Sequence, residues 1–236
     1  MKLVLEGKAK KIFQSENKSY YIQYFKDSAT AFNNKKKRDF NKKGIINNLI
    51  SSDIFIYLNK NNIRTHFVKK ISEREQLIKK VDIIPVEVVV RNYAAGSLVK
   101  RLAIKKGKKL KTPLIEFYFK CDELDDPFIS DDHITLLNLA NRDDIKKIKK
   151  VSIKINNLLI KYFRKINFIL VDYKLEFGIL NKKIILADEI SPDSCRLWDI
   201  KTKISFDKDI FRENKGNLLK SYNEIIKRLK IEVKNV

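Results

Sequence analysis

Apolar residues gather in three short strand-like pieces near the start of the chain, Leu3 to Glu6, Ala9 to Phe13 and Tyr20 to Phe25. Between Lys43 and Leu58 the pattern becomes helical. Ile45, Ile46, Leu49, Ile50, Ile54 and Leu58 recur near the helical period, which predicts an amphipathic helix with one core face. Thr65 to Ile71 reads as a strand, and its His66 as a packed or surface side chain. Val86 to Val90 is a short apolar run entered through Pro85 and reads as a buried strand. Leu98 to Ile104 then reads as helix, Leu114 to Lys120 as strand, and Asp143 to Ile166 as a long helix. The stripe of Ile145, Ile148, Val151, Ile155, Leu159 and Phe163 on that helix is assigned to packing. Asp131 and Asp132 start a further helix that contains His133, with no partner residues that argue for metal or catalysis. Gly216 to Leu229 closes the chain as a last helix.

The stretch from Val171 to Asp199 asks for chemistry as well as folding. Val171, Tyr173, Leu175 and Phe177 alternate with Asp172, Lys174 and Glu176, giving a strand with one apolar and one fully charged face. A second apolar run, Lys183 to Ile190, follows a short polar connection, so the pair reads as a β-hairpin. A three-residue loop at 181 to 183 sets Glu176 directly opposite Asp188. Like charges opposed on a sheet are destabilising, and two carboxylates there suggest a bound cation, magnesium rather than zinc for oxygen ligands. A two-residue loop slips the register by one and moves Asp188 to the other face. The alternative reading is a solvated charged face without a ligand. After the hairpin, Glu189, Asp193, Arg196 and Asp199 gather around the turn at Pro192, a usual setting for binding residues.

Three other stretches offer candidate chemistry. Gly7-Lys8-Ala9-Lys10 puts two ammonium groups on one side of an extended chain, an arrangement suited to a polyphosphate, though it is not P-loop spacing. Lys26 to Lys35 is loop-like and rich in small polar residues. Arg91 to Ser97 leads from the buried strand into the next helix, where Ser97 as N-cap, the helix N-terminus and Arg91 would form an anion site; ordinary capping with a structural arginine is the competing reading. The acidic loop Asp122 to Pro127 is read as solvated, with cation binding as the alternative, and Phe206 to Arg212 is a polar loop.

Composition changes this picture only a little. With 236 residues, 44% hydrophobic and 34% charged, the chain is globular and long enough for one large domain or two small ones. No apolar run reaches the roughly eighteen residues needed to span a bilayer, and the N-terminal residues lack the apolar core of a signal peptide, so a cytoplasmic protein is expected. Cys121 and Cys195 are far apart and read as free thiols. The net charge of +22 raises nucleic-acid binding. Yet the lysines are spread along the whole chain, and the clusters at Lys35 to Arg38 and Lys105 to Lys111 have few aromatics to stack on bases. An anionic small substrate would also benefit from the positive field.

GKAK at 7 to 10, KDSATAF at 26 to 32, PVEVVVRNYAAGSLVKRL at 85 to 102, DYKLEFG at 172 to 178 and DEISPDSCRLWD at 188 to 199 together resemble bacterial SAICAR synthetase from end to end. Asn34 stands where that family's glycine is expected. The resemblance implies an α+β fold of two lobes related to ATP-grasp enzymes and distantly to protein kinases, with ATP between the lobes. Residues 1–84 would form the β-rich ATP-binding lobe, and residues 85–236 the larger lobe with the nucleotide-substrate and metal sites. It implies a ligase of purine biosynthesis that uses ATP and magnesium to join carboxyaminoimidazole ribonucleotide (CAIR) to L-aspartate through an acyl phosphate, giving SAICAR, ADP and phosphate. Lys8, Ala9 and Lys10 would then meet the ATP phosphates, and the backbone near Ile84 the adenine. Glu176 and Asp188 would hold magnesium, with Asp188 also catalytic. Arg91, Ser97 and Arg196 would bind the ribonucleotide phosphate, and Asp172 its ribose. Asp193 would also bind substrate. Lys174 is placed beside the reacting carboxylate by position, and Asp27, Ser28 and Thr30 are candidates for the aspartate site. A homo-oligomer is expected, with neither membrane nor nucleic acid as partner. A kinase-like phosphotransferase and a basic RNA-binding protein are the alternatives.

Overall fold

The computed structural model describes residues 2–31 and 36–231. The first strand-like pieces form strands β1 (Leu3–Glu6), β2 (Lys10–Gln14) and β3 (Tyr20–Phe25). The Gly7 N–H donates to Lys10 O at 2.9 Å, which puts Lys8 and Ala9 in a tight turn ahead of β2 instead of in it. The stretch expected as a loop contains a further strand, β4 (Ser28–Ala31), paired antiparallel with β5 (Lys36–Asp39). Small polar residues read as loop. Here Ser28, Ala29 and Thr30 are buried, and buried backbone groups need ladder partners. Asn34 lies outside the described residues.

Helix α1 (Lys43–Lys60) runs two residues beyond its expected end and is sealed on more than its apolar face. Asn47, Asn48, Ser51 and Ser52 are buried with the isoleucines, so the helix is central rather than amphipathic. Its polar groups reach neighbouring strands and loops: Asn48 donates to Glu73 O at 2.8 Å, and Ser52 Oγ accepts from Gln76 at 3.1 Å. Strands β6 (Phe67–Lys70) and β7 (Glu75–Lys79) complete an antiparallel sheet of order β1-β2-β3-β7-β6. His66, just before β6, is buried with its ring 5.3 Å from that of Phe55, and neither ring nitrogen has a hydrogen-bond partner. The bland reading of this histidine holds.

After Lys80 and Val81 the chain enters a second sheet through the long strand β8 (Asp82–Tyr93), which contains residue 84, the boundary expected between lobes. Helix α2 (Ser97–Leu102), strands β9 (Lys109–Phe119) and β10 (Phe128–Ile129), and helices α3 (Asp131–Leu136) and α4 (Arg142–Lys165) follow. His133 completes a capping box with Ser130 at the start of α3. Strand β11 (Phe168–Leu180) then lies between β8 and β12 (Lys183–Ala187) in the order β10-β9-β8-β11-β12, and β13 (Cys195–Asp199) also pairs with β11. The polar loop after β13 contains a short helix, α5 (Asp209–Arg212), and α6 (Leu218–Leu229) begins at an Asn217 cap. One hydrophobic core joins α1, β8, α4, β11 and α6. No described helix is long and apolar enough to cross a membrane.

The hairpin register corrects an expectation. The turn is the two residues Asn181 and Lys182, both left-handed at φ 49° and 60°, so Leu180 pairs with Lys183 and Glu176 faces Ala187. Two-residue turns with positive φ match the twist of the flanking strands, and Asn suits that backbone. Strict alternation would therefore send Asp188 away from Glu176. Asp188 lies just past β12 with φ 61°, and this left-handed residue breaks the alternation and returns its carboxylate to the cavity that Glu176 lines.

Two stability effects follow from the packing. A Cβ on Gly44 would collide with Phe25 O and the Arg74 guanidinium. Gly44→Ala, which normally gains about 1 kcal/mol in a helix, should instead destabilise the chain by about 1–3 kcal/mol in urea unfolding. Burial pushes the His66 imidazole down to about 3, well under its value in an unfolded chain. The unfolded state binds the proton first, so stability falls as pH drops from about 6.5 toward 3, by up to about 1.4 kcal/mol per unit. His66→Phe should remove that slope and move the acid-unfolding midpoint to lower pH.

Candidate active site

A cleft of about 450 Å³ opens between the two sheets. The β1–β2 turn and Thr30 line one side, and β8, β11, Lys120 and the residues after β12 line the other. Charges of both signs are matched across it. Lys8 Nζ lies 2.7 Å from Asp122 Oδ1, so the acidic loop, exposed as expected over residues 122–125, also reaches the rim of the cleft. Lys10 pairs with Asp188 and, at 3.0 Å, with Glu189. Lys174 sits 2.6 Å from Glu87 and 3.1 Å from Glu176, whose other oxygen pairs with Lys120. Burial alone would lower the Lys10 and Lys174 ammonium groups, but the surrounding carboxylates outweigh it and raise both above the usual lysine range. Burial would likewise raise the Asp188 carboxyl; Lys10 and then Lys174 hold it well below the ordinary value instead.

The charged face of β11 is thus interior, with Asp172 and Glu176 only 3% and 5% exposed. The donor set suits magnesium. Among the described residues no group of three or more His, Cys, Asp or Glu side chains could hold a metal alone. Glu176 and Asp188 offer hard oxygens from two side chains, and magnesium commonly takes one or two carboxylates with water and phosphate oxygens completing the shell. The lysines neutralise those carboxylates where a cation would otherwise do so.

A second cavity, about 300 Å³, adjoins the first. Strand register builds it, because Asp172 pairs with Arg91 of β8 on one side and with Arg196 of β13 on the other. Arg91 is 2% exposed. Its guanidinium reaches Glu116 at 2.6 Å, Asp172 at 2.7 Å and Ser97 Oγ at 2.9 Å. Arg196 reaches Asp172 at 3.0 Å and Asp209 at 2.6 Å. Ser97 is the first residue of α2 and not its cap. Gly96 holds the cap position at φ 56°, where a Cβ would meet the Arg196 guanidinium at 2.6 Å. Glu87, Lys174, Asp193, Ser194 and Lys208 line both cavities and form their common wall. A larger cavity of about 820 Å³ beside Tyr93 and Trp198 contains none of the cleft's paired lysines and carboxylates.

Most of the residues singled out from sequence converge here: Lys8, Ala9, Lys10, Thr30, Glu176 and Asp188 on the first cavity, Arg91, Ser97, Asp172 and Arg196 on the second, Lys174 and Asp193 on both. Three do not line either. Asp27 makes two bonds to Arg74, at 2.7 and 2.9 Å, and accepts from the Gly44 N–H, so it anchors the start of α1. Ser28 donates to Lys8 O at 2.9 Å and shapes the turn from behind. The Ile84 side chain is in the core. Asp199, from the proline-turn group, accepts from backbone N–H groups of the following turn and pairs with Arg228. Glu189, of the same proline-turn group, lines the first cavity, whereas Glu87, Lys120, Ser194, Lys208 and Asp209 were missing from the sequence-based site. Glu87 alone carried a signal, a lone carboxylate inside an apolar strand.

The model of the SAICAR synthetase family matches residues 3–229. The chain belongs to the SAICAR synthetase family. It is 52% identical to the phosphoribosylaminoimidazole-succinocarboxamide synthase of Clostridium novyi over 97% of each chain. The solved structure of the Ehrlichia chaffeensis synthase superposes with a TM-score of 0.96 at 48% identity, over 99% of this chain and 100% of that one. A SAICAR synthetase in complex with ADP superposes with a TM-score of 0.95 at 46% identity, with the same coverage.

The arginine row is also structural. Arg91→Met would leave Asp172 and Glu116 short of a buried cation, and should cost about 3–5 kcal/mol in urea unfolding.

Proposed function

We infer that the chain is an ATP-dependent ligase that joins the carboxylate of CAIR to the amino group of L-aspartate, releasing SAICAR, ADP and phosphate. The observation that carries this reading, within a chain of this family, is the pair of cavities with a common wall. One offers lysines and carboxylates suited to a magnesium nucleotide, the other an arginine pair suited to a sugar phosphate. The kinase-like and RNA-binding alternatives gain nothing from the family match. A cytoplasmic setting and a homo-oligomeric state belong to the same reading.

A carboxylate does not react usefully with an amine near neutral pH. Transfer of the γ-phosphoryl group of ATP to a carboxylate oxygen of CAIR would give an acyl phosphate; attack of the aspartate nitrogen on its carbonyl carbon then forms the amide and expels phosphate. Such transfer depends on positioning and charge neutralisation. Lys8, Ala9 and Lys10 would meet the ATP phosphates, with the backbone near Ile84 at the adenine, and the cleft supports ATP lying between a lobe of residues 1–84 and one of residues 85–236, as in ATP-grasp enzymes. Glu176 and Asp188 would hold magnesium, which when bound supplies Lewis-acid neutralisation of phosphoryl oxygens. Arg91, Ser97 and Arg196 would take the ribonucleotide phosphate and Asp172 its ribose. Lys174, on the common wall, would stand beside the reacting carboxylate. Lys208 on the same wall forms no ion pair among the described residues, and burial pushes its ammonium down to about 8. A carboxylate of L-aspartate is a fitting partner for it, with Thr30 and Asp193 nearby on the same cleft.

Purified protein with magnesium, ATP and CAIR should release ADP together with SAICAR only when L-aspartate is present; ADP release without aspartate would favour a phosphotransferase. Asp188→Asn should remain folded, since Lys10 keeps Glu189 as partner, and lose activity by at least about a hundredfold. Wild-type turnover in that folded variant would remove Asp188 from the magnesium site.

A further inference from the structure

Asp193 sits where the two cavities meet, and the groups that hold it come from opposite ends of the chain. Lys43, the first residue of α1, is fully buried; its Nζ lies 2.5 Å from Asp193 Oδ2 and donates to Ser28 O at 3.0 Å. Tyr222 of α6, also fully buried, donates its hydroxyl to Asp193 Oδ1 at 2.7 Å. Each carboxylate oxygen is therefore engaged from behind by a different helix. Lysine is locally unfavourable at this place. It adds positive charge to the positive end of the helix dipole, and α1 has no acidic residue in its first turn. Sealing the ammonium from water adds a desolvation cost. Two local rules broken by one residue, in contact with a carboxylate of the candidate site, point to a functional demand.

We propose that Lys43 is a positioning residue for the ligase reaction, acting through Asp193: together with Tyr222 it fixes the orientation and the ionised form of the carboxylate at the boundary between the two cavities. The proposal rests on the ligase reading. Asp193 is faced by Lys43 from α1, Tyr222 from α6 and Lys208 ahead of α5, while Lys174 of β11 and Glu87 of β8 line the same wall. Burial by itself raises the Asp193 carboxyl; Lys43 first, then Lys208 and the Tyr222 hydrogen bond, outweigh it and hold the group below the usual carboxylate range. Without Lys43, burial meets less opposition and the carboxyl takes up a proton at higher pH. A step that needs it ionised then fails sooner on the acid side.

The test compares the full-length wild type with Lys43→Met, Tyr222→Phe, Asp193→Asn and the double variant Lys43→Met/Asp193→Asn, using ATP, magnesium, CAIR and L-aspartate. Folding is checked by circular dichroism, and kcat and each KM are followed against pH. Lys43→Met should lower kcat about ten- to a hundredfold, the range typical of residues that orient a ligand from behind. It should also move the acid limb of the kcat profile to higher pH and leave the KM for ATP unchanged. Tyr222→Phe should act in the same direction to a smaller degree. In the Asp193→Asn background the Lys43→Met change should add no further loss, because the two residues act as a unit. A folded Lys43→Met protein with a wild-type acid limb would overturn the proposal, as would an equal loss with and without the Asp193 carboxylate. If Lys43→Met does not fold, Tyr222→Phe decides: a raised acid limb supports the proposal and an unmoved one overturns it. SAICAR formation by the wild type in the same assay separates failure of this proposal from failure of the ligase reading.

Discussion

Asp172, Lys174 and Glu176 line the two cavities from the central strand β11, and Asp172 and Glu176 are buried there, where an unpaired charge costs several kcal/mol. The remainder of the site is a set of answers to that constraint. Asp172 lies between Arg91 and Arg196, one from each flanking strand, and Glu176 lies between Lys120 and Lys174. Neutralising a buried row of charges demands partners at fixed positions. Strand register supplies them more rigidly than loops can.

The same constraint governs what the cavities would admit. Each holds groups of both signs, so a charged ligand entering either one would exchange one set of ion pairs for another and need not charge an apolar space. This balance also explains how a chain of net charge +22 can carry carboxylates at its centre. The general surplus of lysine draws anions toward the protein, while the local pairing decides which groups face them.

Helix α1 links this chemistry to the core. It is buried on more than one side, starts beside Asp27 and Asp193, and packs against β3, β6, β7 and α6. Gly44 allows it to approach the backbone of β3, and its first residue enters the site from behind. The packing of the helix and the placement of the Asp193 carboxylate are therefore one geometric problem.

Much of this was legible in the chain itself. Hydrophobic pattern is local, so short apolar runs indicated β1 and β3, and periodicity determined α1, α4 and the apolar and charged faces of β11 without knowledge of any partner, while the motifs carried family and chemistry. What periodicity lacks is the third dimension. The strand β4 escaped notice because its small polar residues become strand-like only when burial forces their backbone into a ladder. Asp27 looked like a ligand residue by proximity in sequence, but Arg74 and the start of α1 claim it. The hairpin register depended on one residue of loop length, and the left-handed backbone at Asp188 then restored a placement that the register alone would have lost. Lys120, Lys208 and Asp209 reach the site from loops and a short helix whose paths are decided by packing over long sequence separations. Local pattern determines which face of an element is charged; only the tertiary structure decides which charges meet, because ion pairing is a contact between residues that the chain order keeps far apart.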